Sequence, residues 1–135
     1  MFHRLATALV IAVLTLSFSS AAMAQTWAGV PLHEVDNSDV SGQGTLTDNG
    51  DGTTTVHIEI LGQLTAIMPS AIHAGTPDQY APEPAFRLTD VVDGTSKTVI
   101  RASLADLLAG DYVIVVRQSK DAPERIVALG KIRSI

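Results

Sequence analysis

The stretch SGQGTLTDNGDGTTTVHIEILG, residues 41–62, decides the fold class. In its second half Val56, Ile58 and Ile60 alternate with polar side chains, which is the period-two pattern of a strand with one buried face. The segment DNGDG, residues 48–52, separates this run from SGQGTLT, and its Asn and Gly residues accept the positive φ angles of a tight turn. The stretch therefore predicts a β-hairpin in an antiparallel sheet.

Further strand-sized runs follow towards the carboxyl end of the chain. They are FRLTDVVDG (86–94), SKTVIRAS (96–103), DYVIVVRQ (111–118) and RIVALGKIRSI (125–135). Short runs rich in Val, Ile and Thr, interrupted by turn residues, indicate a β-sandwich or small barrel. The sequence therefore predicts an all-β fold.

One short helical turn interrupts the predicted strands at SLADLLAGD, residues 103–111. Ser103 is a candidate N-cap with Asp106 three residues later, and Gly110 stands where a glycine at the C′ position is expected.

The first 24 residues are expected to be a cleaved signal peptide. Arg4 precedes an apolar run over residues 5–16, and Ala22-Met23-Ala24 forms a small-residue cleavage site. Cleavage after Ala24 would leave residues 25–135 as a single domain, and the rest of the chain has no apolar stretch long enough for membrane insertion. We expect a periplasmic or secreted protein.

Composition excludes several functional classes for residues 25–135. This segment has 8 Lys and Arg against 14 Asp and Glu, so a nucleic-acid partner is not expected. The chain has no Cys, which rules out a disulfide and any thiolate site. No nucleophile-elbow serine and no Gly-rich phosphate loop is present, so no catalytic residue is predicted.

Several segments together resemble small exported bacterial domains related to the copper/zinc superoxide dismutase fold and to the CHRD domain. They are residues 41–60, PSAIHAGT (69–76), the run 90–119 and ALGKI (128–132). The resemblance covers residues 32–135 and implies an eight-stranded Greek-key β-sandwich with metal-binding loops. It also implies that most of the metal site is lost. The His-x-His motif of the relatives falls on Ala71 and His73, and a further ligand histidine falls on Arg117.

His73 therefore has two interpretations, a structural histidine that bonds a turn carbonyl or a remaining metal ligand. His33 lies near a predicted strand start beside acidic residues, and His57 alternates onto a solvent-facing side of its strand. Convergence of the three histidines would be needed for a rebuilt metal site. The DNGDG loop fails the EF-hand spacing for calcium and is interpreted as a plain turn.

Arg117 stands at a position where the resembled family has a ligand histidine, and of these differences it has the clearest chemical consequence. Together with His73 it could form a small anion or carboxylate site, because a guanidinium fork pairs well with planar acids. The alternative is an arginine on a solvent-exposed edge of the sheet, or one paired with Asp78 or Asp121.

Two function hypotheses follow. The first is a non-catalytic structural or binding module without a cofactor. It would act on an envelope or extracellular protein partner through a sheet face or the loop from Gly75 to Phe86. The second is a dismutase-like or copper-handling protein that binds copper or zinc through His73 and an unrecognised ligand set. Fold alone does not separate them, because one fold hosts many functions.

The cleavage site can be tested by expressing the whole chain in a bacterium that exports it. Edman sequencing of the exported protein is expected to begin at Gln25, because the small residues at positions 22 and 24 match a signal-peptidase site. An exported protein that still begins at Met1 would contradict the assignment.

Overall fold

The computed structural model describes residues 25–133, which form eleven strands and one short helix. This confirms the predicted all-β fold with one helical turn, whereas the proposed signal peptide lies outside the described residues. The elements are β1 (Trp27–Glu34), β2 (Val40–Asp48), β3 (Thr54–Gly62), β4 (Ile67–Met68), β5 (Ser70–Thr76), β6 (Gln79–Tyr80), β7 (Phe86–Arg87), β8 (Val91–Val92), β9 (Thr95–Ile100), α1 (Leu104–Ala109), β10 (Tyr112–Arg117) and β11 (Ile126–Ile132).

All strand pairs within the described residues are antiparallel and belong to one curled sheet. Its order is β4-β8-β9-β3-β2-β1-β11-β10-β5-β6, and β7 pairs with β5. The last strand, β11, lies beside β1, so the end of the chain returns to the β1-β2-β3 meander and gives the spatial order β11-β1-β2-β3. The strand count exceeds the eight implied by the resemblance, and four of the eleven strands are only two residues long.

The hairpin predicted from residues 41–62 is formed by β2 and β3, with Asp48 opposite Thr54. Gly50 and Gly52 have φ angles of +80° and +85°, as the turn chemistry requires. The Asp51 carboxylate accepts hydrogen bonds from the Thr53 hydroxyl and amide, and these bonds hold the pKa of Asp51 below its usual range. The acidic side chains of this loop are therefore used in the turn.

The inner faces of the curled sheet enclose a single apolar core. Every second residue of β3 and β10 is directed into it, and α1 adds Leu104 and Leu107. Burial of these side chains supplies the main stabilisation, about 1.5–3 kcal/mol for each large aliphatic side chain. The largest fully buried members include Leu46, Ile58, Met68, Ile72, Leu104, Leu107, Ile114 and Ile132.

Two buried serines, one on β5 and one on β9, form hydrogen bonds to the same carbonyl in the segment between β7 and β8. The Thr89 carbonyl accepts hydrogen bonds from Ser70 Oγ at 3.1 Å and from Ser96 Oγ at 2.6 Å. Both serines are buried, so these bonds satisfy hydroxyls that would otherwise be costly inside the protein.

Helix α1 begins as predicted, because Ser103 Oγ accepts a hydrogen bond from the Asp106 amide at 3.1 Å. The prediction for its end was wrong in conformation, since Gly110 has an extended backbone with φ of −94°. Glycine is favoured there by contact, because a Cβ atom would lie 2.7 Å from the Tyr112 ring. No helix within residues 25–133 is long and apolar enough to cross a membrane.

The packing of Ile114 provides a test of the core. Its side chain is fully buried, and its Cδ1 atom occupies space left by the absent side chain of Gly44. We expect Ile114→Ala to lower the free energy of unfolding by about 2–5 kcal/mol, because it removes buried methyl groups and leaves a cavity. Urea denaturation followed by circular dichroism measures the change.

The matched control is Val99→Ala, since Val99 is 63% exposed on β9. This change is expected to stay within about 0.5 kcal/mol of the wild type. Equal losses in the two variants would contradict the assignment of the inner face.

Candidate functional site

The pairing of β5 with β10 determines which side chains leave the core and form an outer face. His73 lies opposite Val113 and Ala71 lies opposite Val115. Ile72 and Ile114, which alternate with these residues, belong to the core cluster. Because side chains alternate along a strand, His73, Ala71 and Arg117 all project from the outer face of the same part of the sheet.

The loop that contains β6 covers His73, which is only 1% exposed. Its Nδ1 atom lies 2.8 Å from the carbonyl oxygen of Ala81, and its ring meets the Tyr80 ring edge-on with centroids 5.3 Å apart. A carbonyl only accepts, so Nδ1 carries the proton of this bond. The first interpretation of His73, a histidine that bonds a turn carbonyl, is what the structure shows.

The second ring nitrogen of His73 has no such contact. Nε2 is buried and has no hydrogen-bond partner within residues 25–133. With Nδ1 protonated, Nε2 of the neutral ring is an acceptor with a free lone pair. A buried polar atom left without a partner is costly, and an acceptor nitrogen suits a hydrogen-bond donor or a metal ion, not an anion.

A cleft of about 490 Å³ adjoins His73 on the outer face. Its size falls within the range of small-molecule sites. The rings of four prolines form much of its wall, and Ala71, whose side chain is small, contributes to its floor. The lining residues are Pro69, Ser70, Ala71, His73, Pro82, Pro84, Arg87, Leu88, Asp90, Arg117 and Pro123.

Arg117 lies at this cleft together with His73, on the strand next to that of His73. Its Nη1 atom donates to the Pro123 carbonyl at 2.7 Å, and its backbone amide donates to the Pro69 carbonyl at 2.8 Å. Among the described residues no carboxylate lies within 4.0 Å of Arg117, so the expected alternative pairing with Asp78 or Asp121 is not formed. The guanidinium keeps further N–H donors for a ligand.

Sequence reasoning missed a second arginine, Arg87, which also lines the cleft. Arg87 lies on β7 opposite Ala71, and it too has no carboxylate within 4.0 Å among the described residues. Asp90 is the acidic side chain of the cleft lining, and it is paired with Lys120 at 3.2 Å. Two arginines and one lysine-paired aspartate therefore line a cleft in a protein of net charge −5.

The structure does not bring the three candidate histidines together. His33 is near the end of β1, not at a strand start as expected, and β11 and β10 separate it from β5. Three interstrand spacings put about 14 Å between these strands. His57 lies on the solvent face of β3, where its Nε2 is 3.2 Å from the Thr95 hydroxyl and 3.7 Å from a Glu59 carboxylate oxygen.

The residues around His73 do not fit copper or zinc. No group of three or more His, Cys, Asp or Glu side chains in the described part of the chain could hold a metal ion. The cleft offers one imidazole nitrogen, while two arginines bring permanent positive charge beside it. Tetrahedral zinc sites use three or four protein ligands, so a single imidazole does not suffice.

No protein-family model and no curated protein matches this chain.

The bond from His73 to Ala81 anchors the loop that covers the outer face. In His73→Leu the bond is lost, and we expect exchange of the Ala81 and Ala85 amides to accelerate about tenfold, as expected for a loss of about 1.4 kcal/mol. These amides donate to Ala74 and Ile72 carbonyls at 2.8 Å, so they report directly on loop attachment. Hydrogen exchange followed by NMR measures the rates.

His73→Asn is the matched variant, because its side-chain NH₂ group takes the approximate place of Nδ1 and can keep the bond to Ala81. We expect most of the protection to remain in this variant. Unchanged exchange in His73→Leu would show that the bond does not hold the loop.

Proposed function

We propose that this protein is an exported, non-catalytic β-sandwich binding module of the dismutase- and CHRD-like group, and that its ligand site is the outer-face cleft. The ligand is a small anion, with a carboxylate the best chemical fit. One observation carries the proposal. Arg117 and Arg87 line one cleft, and neither has a carboxylate partner among the described residues.

The geometry of Arg117 supports anion binding. Its bond to the Pro123 carbonyl fixes one side of the guanidinium and leaves its other N–H groups for a ligand. A planar carboxylate accepts two parallel bonds from such a fork, and hydrogen bonds between charged groups are about twice as strong as neutral ones. The proline-lined walls add a rigid apolar surface that loses little conformational entropy on binding.

Export and group membership are supported by the sequence. The leader-like residues 1–24 are consistent with a periplasmic or secreted protein, and the segments quoted above are consistent with a domain of this group. The partner expected in that setting is an envelope or extracellular molecule that presents an anionic group.

Copper handling is the second candidate function, and one observation favours it. The buried Nε2 atom of His73 has a free lone pair in the tautomer that the Ala81 carbonyl selects. The position that relatives fill with another histidine is Ala71, and Arg117 occupies a further ligand position. The charge and the ligand count at the cleft therefore favour an anion over a metal cation.

Isothermal titration of the exported protein with propionate at low salt tests the proposed function. We expect millimolar binding that weakens about tenfold in Arg117→Gln, because the charge-assisted bonds are lost. Arg117→Lys keeps the charge but not the planar fork and is expected to fall between the two. Added salt should weaken all of these affinities because the site is partly exposed.

Arg101→Gln is the matched control, since it removes one exposed arginine outside the cleft lining. It is expected to bind propionate as the wild type does. Equal binding by wild type and Arg117→Gln would refute the site.

A further inference from the structure

We infer that the cleft is a clamp for small dianions, in which Arg87 and Arg117 each bind one end or one side of the same ligand. This inference rests on the proposed function and names the class of ligand, either a four-carbon dicarboxylate or a phosphate. Two separate negative charges, or one divalent group, are the chemistry that two unpaired arginines on one cleft recognise.

The strand register places the two arginines on opposite sides of β5. Arg87 on β7 lies opposite Ala71, while Arg117 on β10 follows Val116, which lies opposite Ser70. Two interstrand spacings and an offset of two residues put their Cα atoms about 12 Å apart on the same face. Both side chains line the cleft, as does Ala71, which lies between them on β5.

The small side chain of Ala71 leaves space in the cleft between the two arginines. Ala71 is the residue between the two arginines on β5, it contributes to the cleft floor, and it is 8% exposed. A larger side chain on this outward position would fill the space between the guanidinium groups. The small residue therefore leaves an opening that a ligand of a few heavy atoms can occupy.

The local charge favours a dianion over a monoanion. Lys120 neutralises Asp90 at 3.2 Å, so the acidic group in the cleft lining does not cancel the arginines. A monocarboxylate at Arg117 leaves Arg87 without a partner. A second negative charge on the ligand engages Arg87 at no further loss of translational freedom, which is the advantage of a two-point contact.

The test compares succinate and inorganic phosphate with propionate by isothermal titration of the exported protein at one ionic strength. We expect at least one dianion to bind about tenfold more tightly than propionate. Tighter binding of succinate would identify a dicarboxylate site, and tighter binding of phosphate would identify a tetrahedral dianion site. Either result supports the clamp.

Arg87→Gln separates the clamp from a general electrostatic effect. It is expected to reduce dianion binding about tenfold, to the level of propionate, and to weaken propionate binding much less, because only a dianion needs both arginines. Arg101→Gln removes the same charge outside the cleft lining and should alter neither affinity. If Arg87→Gln weakens propionate and the dianions equally, the clamp is refuted.

The remaining outcomes distinguish this inference from the proposed function. Dianions that bind no better than propionate, with propionate binding still dependent on Arg117, would overturn the clamp and leave the anion site in place. No binding of any of the three anions would overturn both.

Discussion

The antiparallel register between β5 and β10 is the constraint on which both the core and the cleft depend. With His73 opposite Val113, the chain directs Ile72 and Ile114 into the core and places His73 and Arg117 on the outer face. A slip of one residue would exchange the two faces, bringing a histidine and an arginine into an apolar interior. Burial of the inner face therefore selects the register, and the register in turn assembles the site.

The outer face of these strands is itself partly apolar and needs a cover. Val113 and Val115 are completely buried although they lie on the side of β10 away from the core cluster. The loop anchored by His73 to Ala81 lies over this face, and the cleft is the space that its prolines and the segment around Pro123 leave open. Covering the sheet and forming a binding site are thus results of the same packing.

Local patterns predicted much of this structure. Alternation over residues 54–60, the turn glycines and the Ser103 cap depend on neighbours in sequence, and the structure contains all three. His73 and Arg117 could be proposed as a pair because strand alternation and the resemblance both marked them. Arg87 could not, since its place depends on the two-residue strand β7, which a long loop brings against β5. The role of Gly110 was also missed, because it arises from contact with the Tyr112 ring and not from a left-handed turn.

We propose an anion site, and not a metal site, in the cleft beside His73, and the metal content of the protein separates the two. The exported protein would be incubated with copper and with zinc, freed of excess and weighed by native mass spectrometry, with His73→Ala beside it. We expect no retained metal in either protein, because one imidazole next to two arginines does not hold a divalent cation. One equivalent of metal in the wild type that is lost in His73→Ala would contradict this proposal.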